Sequence, residues 1–164
     1  MKAKGDTNKI HDICWNSKPG SKRFSTAGVK HIYFWDANHA TGDKHRAITG
    51  SHEMTSYSCT AWDSNGTCYS GGANGKLYVW GGDNGRTCEK SISLHKGFIC
   101  ALRFAEGKLW TGAKDGKVHC IDTASLTSIR CIEFNSLIRA VDCMGDKLIV
   151  GQRDGTISCK SGEG

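Results

Sequence analysis

Apolar and polar residues alternate along this chain in short runs, and turn residues end every run early. The clearest unit lies between Phe98 and Phe134. Phe98–Phe104 alternates with period two, Ala105-Glu106-Gly107 interrupts it, and Lys108–Gly112 resumes the alternation. Lys114-Asp115-Gly116 interrupts again and Lys117–Ile121 follows. After turn residues at 122–125, a last run covers Thr127–Phe134. Period-two runs bounded by Gly, Asp and Ser predict strands joined by hairpins, so this unit predicts one four-stranded antiparallel sheet. Asp115-Gly116 suits a two-residue hairpin in which both central positions take positive φ. No window of ~11 residues carries a good 3.6-residue apolar stripe free of glycine, so helices are not expected.

The template fits three more times. One unit predicts strands at Tyr57–Trp62, Thr67–Gly71, Lys76–Trp80 and Arg86–Ile92. Another predicts Ile10–Trp15, Arg23–Ala27, His31–Trp35 and a weaker Arg46–Thr49. The last predicts Ile138–Cys143, Lys147–Gly151 and Thr156–Cys159, without an outer strand. Lys30, Gly75, Gly116 and Gly155 fall at one turn position, and Ser25, Ser70, Thr111 and Val150 align five residues earlier. A repeat of ~40–45 residues with a glycine turn and a Trp-Asp ending (Trp35-Asp36) is the mark of a WD-repeat propeller blade. The expected fold is all-β: a propeller of about four antiparallel blades at 8–50, 51–93, 94–135 and 136–160, the last incomplete. Four blades form an open arc with two bare apolar faces, and bare faces pair or aggregate. The missing blades are therefore expected from the rest of a longer chain, of which this is an internal fragment, or from self-association.

Composition narrows the setting. Glycine is frequent (21) and proline nearly absent (1), which suits many tight hairpins. No apolar stretch reaches the ~18 residues that would span a bilayer, so no membrane partner is expected. The opening Met1-Lys2-Ala3-Lys4-Gly5-Asp6 is polar and does not read as a secretory signal. Nine cysteines, most of them inside predicted strands, read as reduced, packed thiols. The net charge of +6 is scattered, with small concentrations at Lys18, Lys22 and Arg23 and at Lys44-His45-Arg46. No basic stripe marks a nucleic-acid interface; an acidic protein surface is the partner such loops would attract.

The polar residues that suggest chemistry repeat with the blades. The third repeat offers His95, Thr111 and Asp115, with Ile121 where a Trp would stand. The second offers Ser70, Asn74 and Trp80, with His52 displaced by two positions. The fourth has Asp154, but Val150 and Phe134 at the polar places. Such sets satisfy buried polar groups and are not catalytic triads. There is no Cys-x-x-Cys and no helical His pair, so no metal or other cofactor is expected. His119 and Cys120 are adjacent on a strand and point to opposite faces. Trp35 and Trp80 end the third strand of their blades, a core position.

The residues also resemble one WD-repeat family, the echinoderm microtubule-associated protein-like proteins. Lys9–Asn16 with Arg23–Trp35 resembles that family's aspartate-isoleucine-x-tryptophan strand followed by "GVKHIKFW". Gly75–Trp80 resembles "GDIYVWK", Leu94-His95-Lys96-Gly97 resembles its Ala-His-x-Gly, and Ile138–Val141 with Leu148–Ile157 resembles "VRSV…ILVGTKDGEI". The resemblance implies a protein with a coiled coil and two joined propellers, and a run of blades in the first propeller is what these repeats match. It also implies association with microtubules or tubulin, and a cytoplasmic, cytoskeleton-associated setting. The expected function is a non-enzymatic interaction scaffold. A generic WD-repeat adaptor and a basic RNA-associated propeller are the alternatives. The expected contact loops hold Lys30, Asn74, His95, Lys96, Lys114, Asp115 and Asp154 on one rim, and Lys18, Lys22 and Arg23 on the other.

Overall fold

The computed structural model describes residues 3–38, 42–145 and 147–161. They form fifteen strands in four antiparallel sheets, with no helix among the described residues. Blade 1 is β1 (Ile10–Trp15), β2 (Arg23–Gly28), β3 (His31–Asp36) and β4 (Asp43–Arg46). Blade 2 is β5 (Tyr57–Trp62), β6 (Cys68–Gly72), β7 (Lys76–Gly81) and β8 (Thr87–Ser93). Blade 3 is β9 (Ile99–Ala105), β10 (Lys108–Ala113), β11 (Lys117–Asp122) and β12 (Thr127–Glu133). Blade 4 has β13 (Ile138–Met144), β14 (Lys147–Gln152) and β15 (Ile157–Ser161). In every sheet the strands lie side by side in chain order. Most strands fall within a residue of their expected bounds. The outer strand of blade 1 does not: it occupies Asp43–Arg46, ahead of the expected Arg46–Thr49. Ile48 instead makes a parallel bridge to Thr87 in blade 2, which ties the two blades at their outer edge.

Period-two alternation gives each blade two faces, and the facing sides of successive blades pack together at three seams. Ala27, Ile32 and Phe34 of blade 1 meet Tyr57, Trp62, Cys68, Tyr78 and Trp80 of blade 2. The other face of blade 2 (Cys59, Ala61, Tyr69, Leu77, Val79) meets Ile99, Leu109 and Ile121 of blade 3. Ala101, Trp110, Val118 and Cys120 of blade 3 meet Ile138, Val141, Leu148 and Val150 of blade 4. Polar groups cross the seams as well. Asp12 accepts the Thr60 amide at 2.8 Å, the Trp62 indole donates to Ser25 at 2.9 Å, and Ser58 bonds the Ile99 carbonyl.

The turns differ from the two-residue form expected at Asp115-Gly116. At Asn74-Gly75, Asp115-Gly116 and Asp154-Gly155 only the glycine has positive φ (77°, 76° and 89°). Its amide bonds the carbonyl three residues back, of Gly72, Ala113 and Gln152. The Asn or Asp side chain accepts the amide two residues on. This is a type I turn closed by a left-handed residue, the three-residue hairpin. Blade 1 does have the two-residue hairpin: Gly28 pairs His31 across Val29-Lys30, and Lys30 takes φ 56°. One residue fewer shifts the register of β2. Thr26, opposite Tyr33, is therefore the counterpart of Ser70 and Thr111, and the expected alignment of Ser25 is off by one.

Candidate functional site

The β2–β3 type of turn and the loops between blades lie on one rim, by the up-and-down order of the strands. There the structure gathers Asn74, His95, Lys96, Lys114 and Asp115. A Cβ at Gly75 would lie 2.2 Å from the His95 carbonyl oxygen, and the Gly75 carbonyl accepts the Leu94 and His95 amides. His95 Nδ1 lies 3.0 Å from Asp115, and Nε2 lies 2.9 Å from the Thr111 hydroxyl. Asp115 also accepts the Lys96 and Lys117 amides. Burial works against the Asp115 charge, but those two amides and the His95 ring together outweigh it. They hold the carboxyl below its ordinary value. Burial lowers His95 despite the pull of Asp115. A neutral ring then donates from Nδ1–H to Asp115 and accepts the Thr111 hydroxyl at Nε2. Thr111 is fully buried and His95 nearly so, so the set has no open face toward solvent, and its bonds brace the loop.

The other sets are incomplete, as their sequences predict. The Trp80 indole donates to Ser70 at 2.7 Å, and the Trp35 indole donates to Thr26 at 3.0 Å. Displaced His52 bonds Ser91 instead, and Asn74 bonds the Tyr78 hydroxyl. Lys30, Lys96 and Lys114 are exposed on this rim, with the Lys114 ammonium 4.8 Å from the Phe98 ring centroid. Asp154 is exposed on the last hairpin, at the end of the arc.

On the opposite rim Lys18 and Lys22 project from the β1–β2 loop, which Ser17 ties to blade 2 by donating to the Trp62 and Asp63 carbonyls. Arg23 is only half-exposed. Its guanidinium reaches the Gly85 carbonyl at 3.4 Å and sits 5.9 Å from the Phe34 ring centroid. It anchors the loop, and the two lysines are left as the charges on offer.

Sequence reasoning missed two groupings. His119 packs edge-on against His95, with ring centroids 4.7 Å apart, and its Nδ1 lies 2.7 Å from Ser128. Its position opposite Thr111 in the register could have placed it there. The segment before β1 also folds back on blade 1. Asp6 accepts the Tyr33 hydroxyl at 3.0 Å, and the Lys44 ammonium bonds the Lys4 and Gly5 carbonyls over the Tyr33 ring. No pattern announces that contact. No cluster of three or more His, Cys, Asp or Glu suited to a metal occurs among the described residues.

No family model matches the chain. Known proteins do. The chain is 37% identical over 158 residues to a ciliary WD repeat-containing protein, ctxp80, of Euplotoides octocarinatus, covering 95% of this chain and 22% of that protein. It is 31% identical over 134 residues to human echinoderm microtubule-associated protein-like 2, covering 77% of this chain and 20% of that protein. The chain thus spans about a fifth of the length of the curated relatives it matches. Among solved structures, the WD40 repeats of RRP9 match with TM-score 0.80 at 16% identity, over 95% of this chain and 49% of that one. The WD40 propeller domain of Doa1 matches with TM-score 0.77 at 18% identity, over 94% and 51%. The designed protein Ika4 matches with TM-score 0.79 at 18% identity, over 98% and 95%.

Proposed function

Because this chain is a WD-repeat β-propeller protein, we propose that it works as a protein-interaction scaffold in a microtubule-associated setting, with the acidic surface of tubulin as its partner. One observation carries the reading: the likeness over 77% of the chain to a protein named as microtubule-associated. The geometry supports it. The Thr111–His95–Asp115 set is buried and braces a loop, which favours a function that rests on a rigid surface. The partner-facing charges are Lys18 and Lys22 on a loop that Arg23 and Ser17 hold in place. A pinned loop loses little entropy when it binds.

Copelleting of the 164-residue chain with polymerised tubulin tests this. Binding in the micromolar range is expected. The double reversal K18E/K22E should weaken it about tenfold, as two lost attractions of order 0.7 kcal/mol each would. The reversal K96E/K114E on the opposite rim should leave it unchanged. A chain that stays in the supernatant, or that RNA displaces from microtubules as readily as excess tubulin does, would sink the proposal.

A further inference from the structure

His119 and Cys131 face each other across β11 and β12. They share the side of blade 3 that packs on blade 2, since Ile121, two residues along β11, belongs to that seam. Cys131 is exposed there and His119 is half-buried. His119 Nε2 lies 3.6 Å from the Cys131 sulfur, and Nδ1 lies 2.7 Å from the Ser128 hydroxyl. The same hydroxyl reaches the Arg130 carbonyl at 3.1 Å.

These contacts admit one placement of the protons. A carbonyl only accepts, so the single Ser128 proton goes to Arg130. Ser128 then offers Nδ1 only lone pairs, and Nδ1 must carry hydrogen. A neutral ring protonated at Nδ1 has a bare lone pair at Nε2, and the Cys131 thiol donates into it. Burial, with the neighbouring His95 acting in the same sense, holds His119 below its ordinary value of 6.5, so the ring is neutral at pH 7. Burial also pushes the Cys131 thiol up. The Lys117 ammonium pulls it back, against the Glu133 and Asp115 carboxylates. At rest the proton therefore sits on sulfur, with a base in contact to take it. A nucleophile, a base touching it and a third group that orients the base are the parts of an activated thiol.

We propose that Cys131 is a modification site for small disulfides of the glutathione type, with His119 as its base and Ser128 positioning that base. The exposed sulfur lies against a half-buried ring at the seam of two blades, which suits a small reagent. The Cys131 sulfur attacks one sulfur of the disulfide, and a new S–S bond forms as the old one breaks. Nε2 takes the thiol proton and passes it to the departing thiolate, which leaves as a thiol. One disulfide is consumed and one is made, so no other oxidant enters. The inference does not depend on tubulin binding.

Treatment of the 164-residue chain with oxidised glutathione tests it, each mixed disulfide being located by peptide mapping after an acid quench. Cys159 is exposed as well, and no histidine bonds it among the described residues, so it is the internal comparator. Near neutral pH, Cys131 should react at least about fivefold faster than Cys159. His119→Gln should slow Cys131 about tenfold and leave Cys159 unchanged. The pH profile separates a base from a packing partner. Proton transfer inside the pair leaves its net charge alone, so the Cys131 rate should stay nearly level from about pH 7 to about pH 8, where an unassisted thiol gains about tenfold. H119Q should restore that steep rise. Ser128 is exposed, and Ser128→Ala should slow Cys131 about threefold by releasing the ring, a second reading should H119Q disturb the blade. A Cys131 no faster than Cys159 overturns the proposal. So do a steep profile in the parent chain, an H119Q chain that keeps the parent's rate and level profile, and an S128A chain that reacts as the parent does.

Discussion

Lys30 shows how much one backbone angle can decide. It holds the left-handed position that Gly75, Gly116 and Gly155 hold in the other blades, at φ 56°. A side chain there costs about 1–2 kcal/mol, and glycine gives back part of the gain as unfolded-state entropy. Lys30→Gly should therefore stabilise the chain by about 0.5–1 kcal/mol. Its thermal midpoint should rise by roughly 2 °C for a chain of this size, a shift calorimetry resolves. The Lys30 carbonyl that accepts Arg46 is untouched by the change. Gly75 is the opposite case. Its φ of 77° and the His95 oxygen 2.2 Å from any added Cβ leave no room. Gly75→Ala should cost at least ~2 kcal/mol, seen as an earlier urea midpoint. Thr111→Val leaves His95 Nε2 unpaired in a buried site and should cost about 1–3 kcal/mol.

At the scale of the blade, acid is the informative variable. His95 and His119 are both held below the ordinary value of 6.5, chiefly by burial. The unfolded chain therefore takes up protons first as pH falls. The stability these histidines contribute is complete above about pH 6.5 and drains away below it. Asp115 acts in the same sense lower down, since its folded carboxyl also lies below its ordinary value. Blade 3 should thus open more readily at pH 5 than at pH 7.5. Amide exchange in β9–β11 would show it, after correction for the intrinsic pH dependence of exchange. The double variant H95Q/H119Q should flatten the difference. Blade 4 should exchange fastest of the four at any pH, because it has three strands among the described residues where the others have four, and Ile149 and Ile157 on its outward face are exposed. Uniform protection across the blades would contradict this.

The blades were legible in the sequence because alternation and glycine turns are local signals. His95, Thr111 and Asp115 could be named as a set for the same reason, since they recur with the repeat. What escaped was set by counting or by distance. One residue fewer between β2 and β3 moved Thr26 into the place expected of Ser25. A pattern with no apolar signal, Asp43–Arg46, formed β4 because β3 offered it an open edge. The fold-back of Asp6 onto Tyr33 joins residues far apart in the chain and leaves no trace in periodicity.

Across the whole molecule, burial sorts the cysteines. All nine are free thiols. Cys59 and Cys68 lie in the seams, and burial pushes Cys59 up to about 12 and Cys68 higher still. Cys131 and Cys159 are exposed, against the expectation that the thiols are packed. Brief alkylation of the native chain should label these two first, and Cys59 and Cys68 only after unfolding; peptide mapping would read the order. The thiolate is the reactive form, so burial and raised ionisation act together. The bare face of blade 1 has one more consequence. Trp35, Trp62, Trp80 and Trp110 are at most 7% exposed, whereas Trp15 is 61% exposed and leans edge-on against Phe24. The chain thus carries a built-in optical reporter. Emission that acrylamide quenches comes from Trp15 alone, so anything that settles on that face announces itself as a blue shift and a loss of quenching, with no label attached.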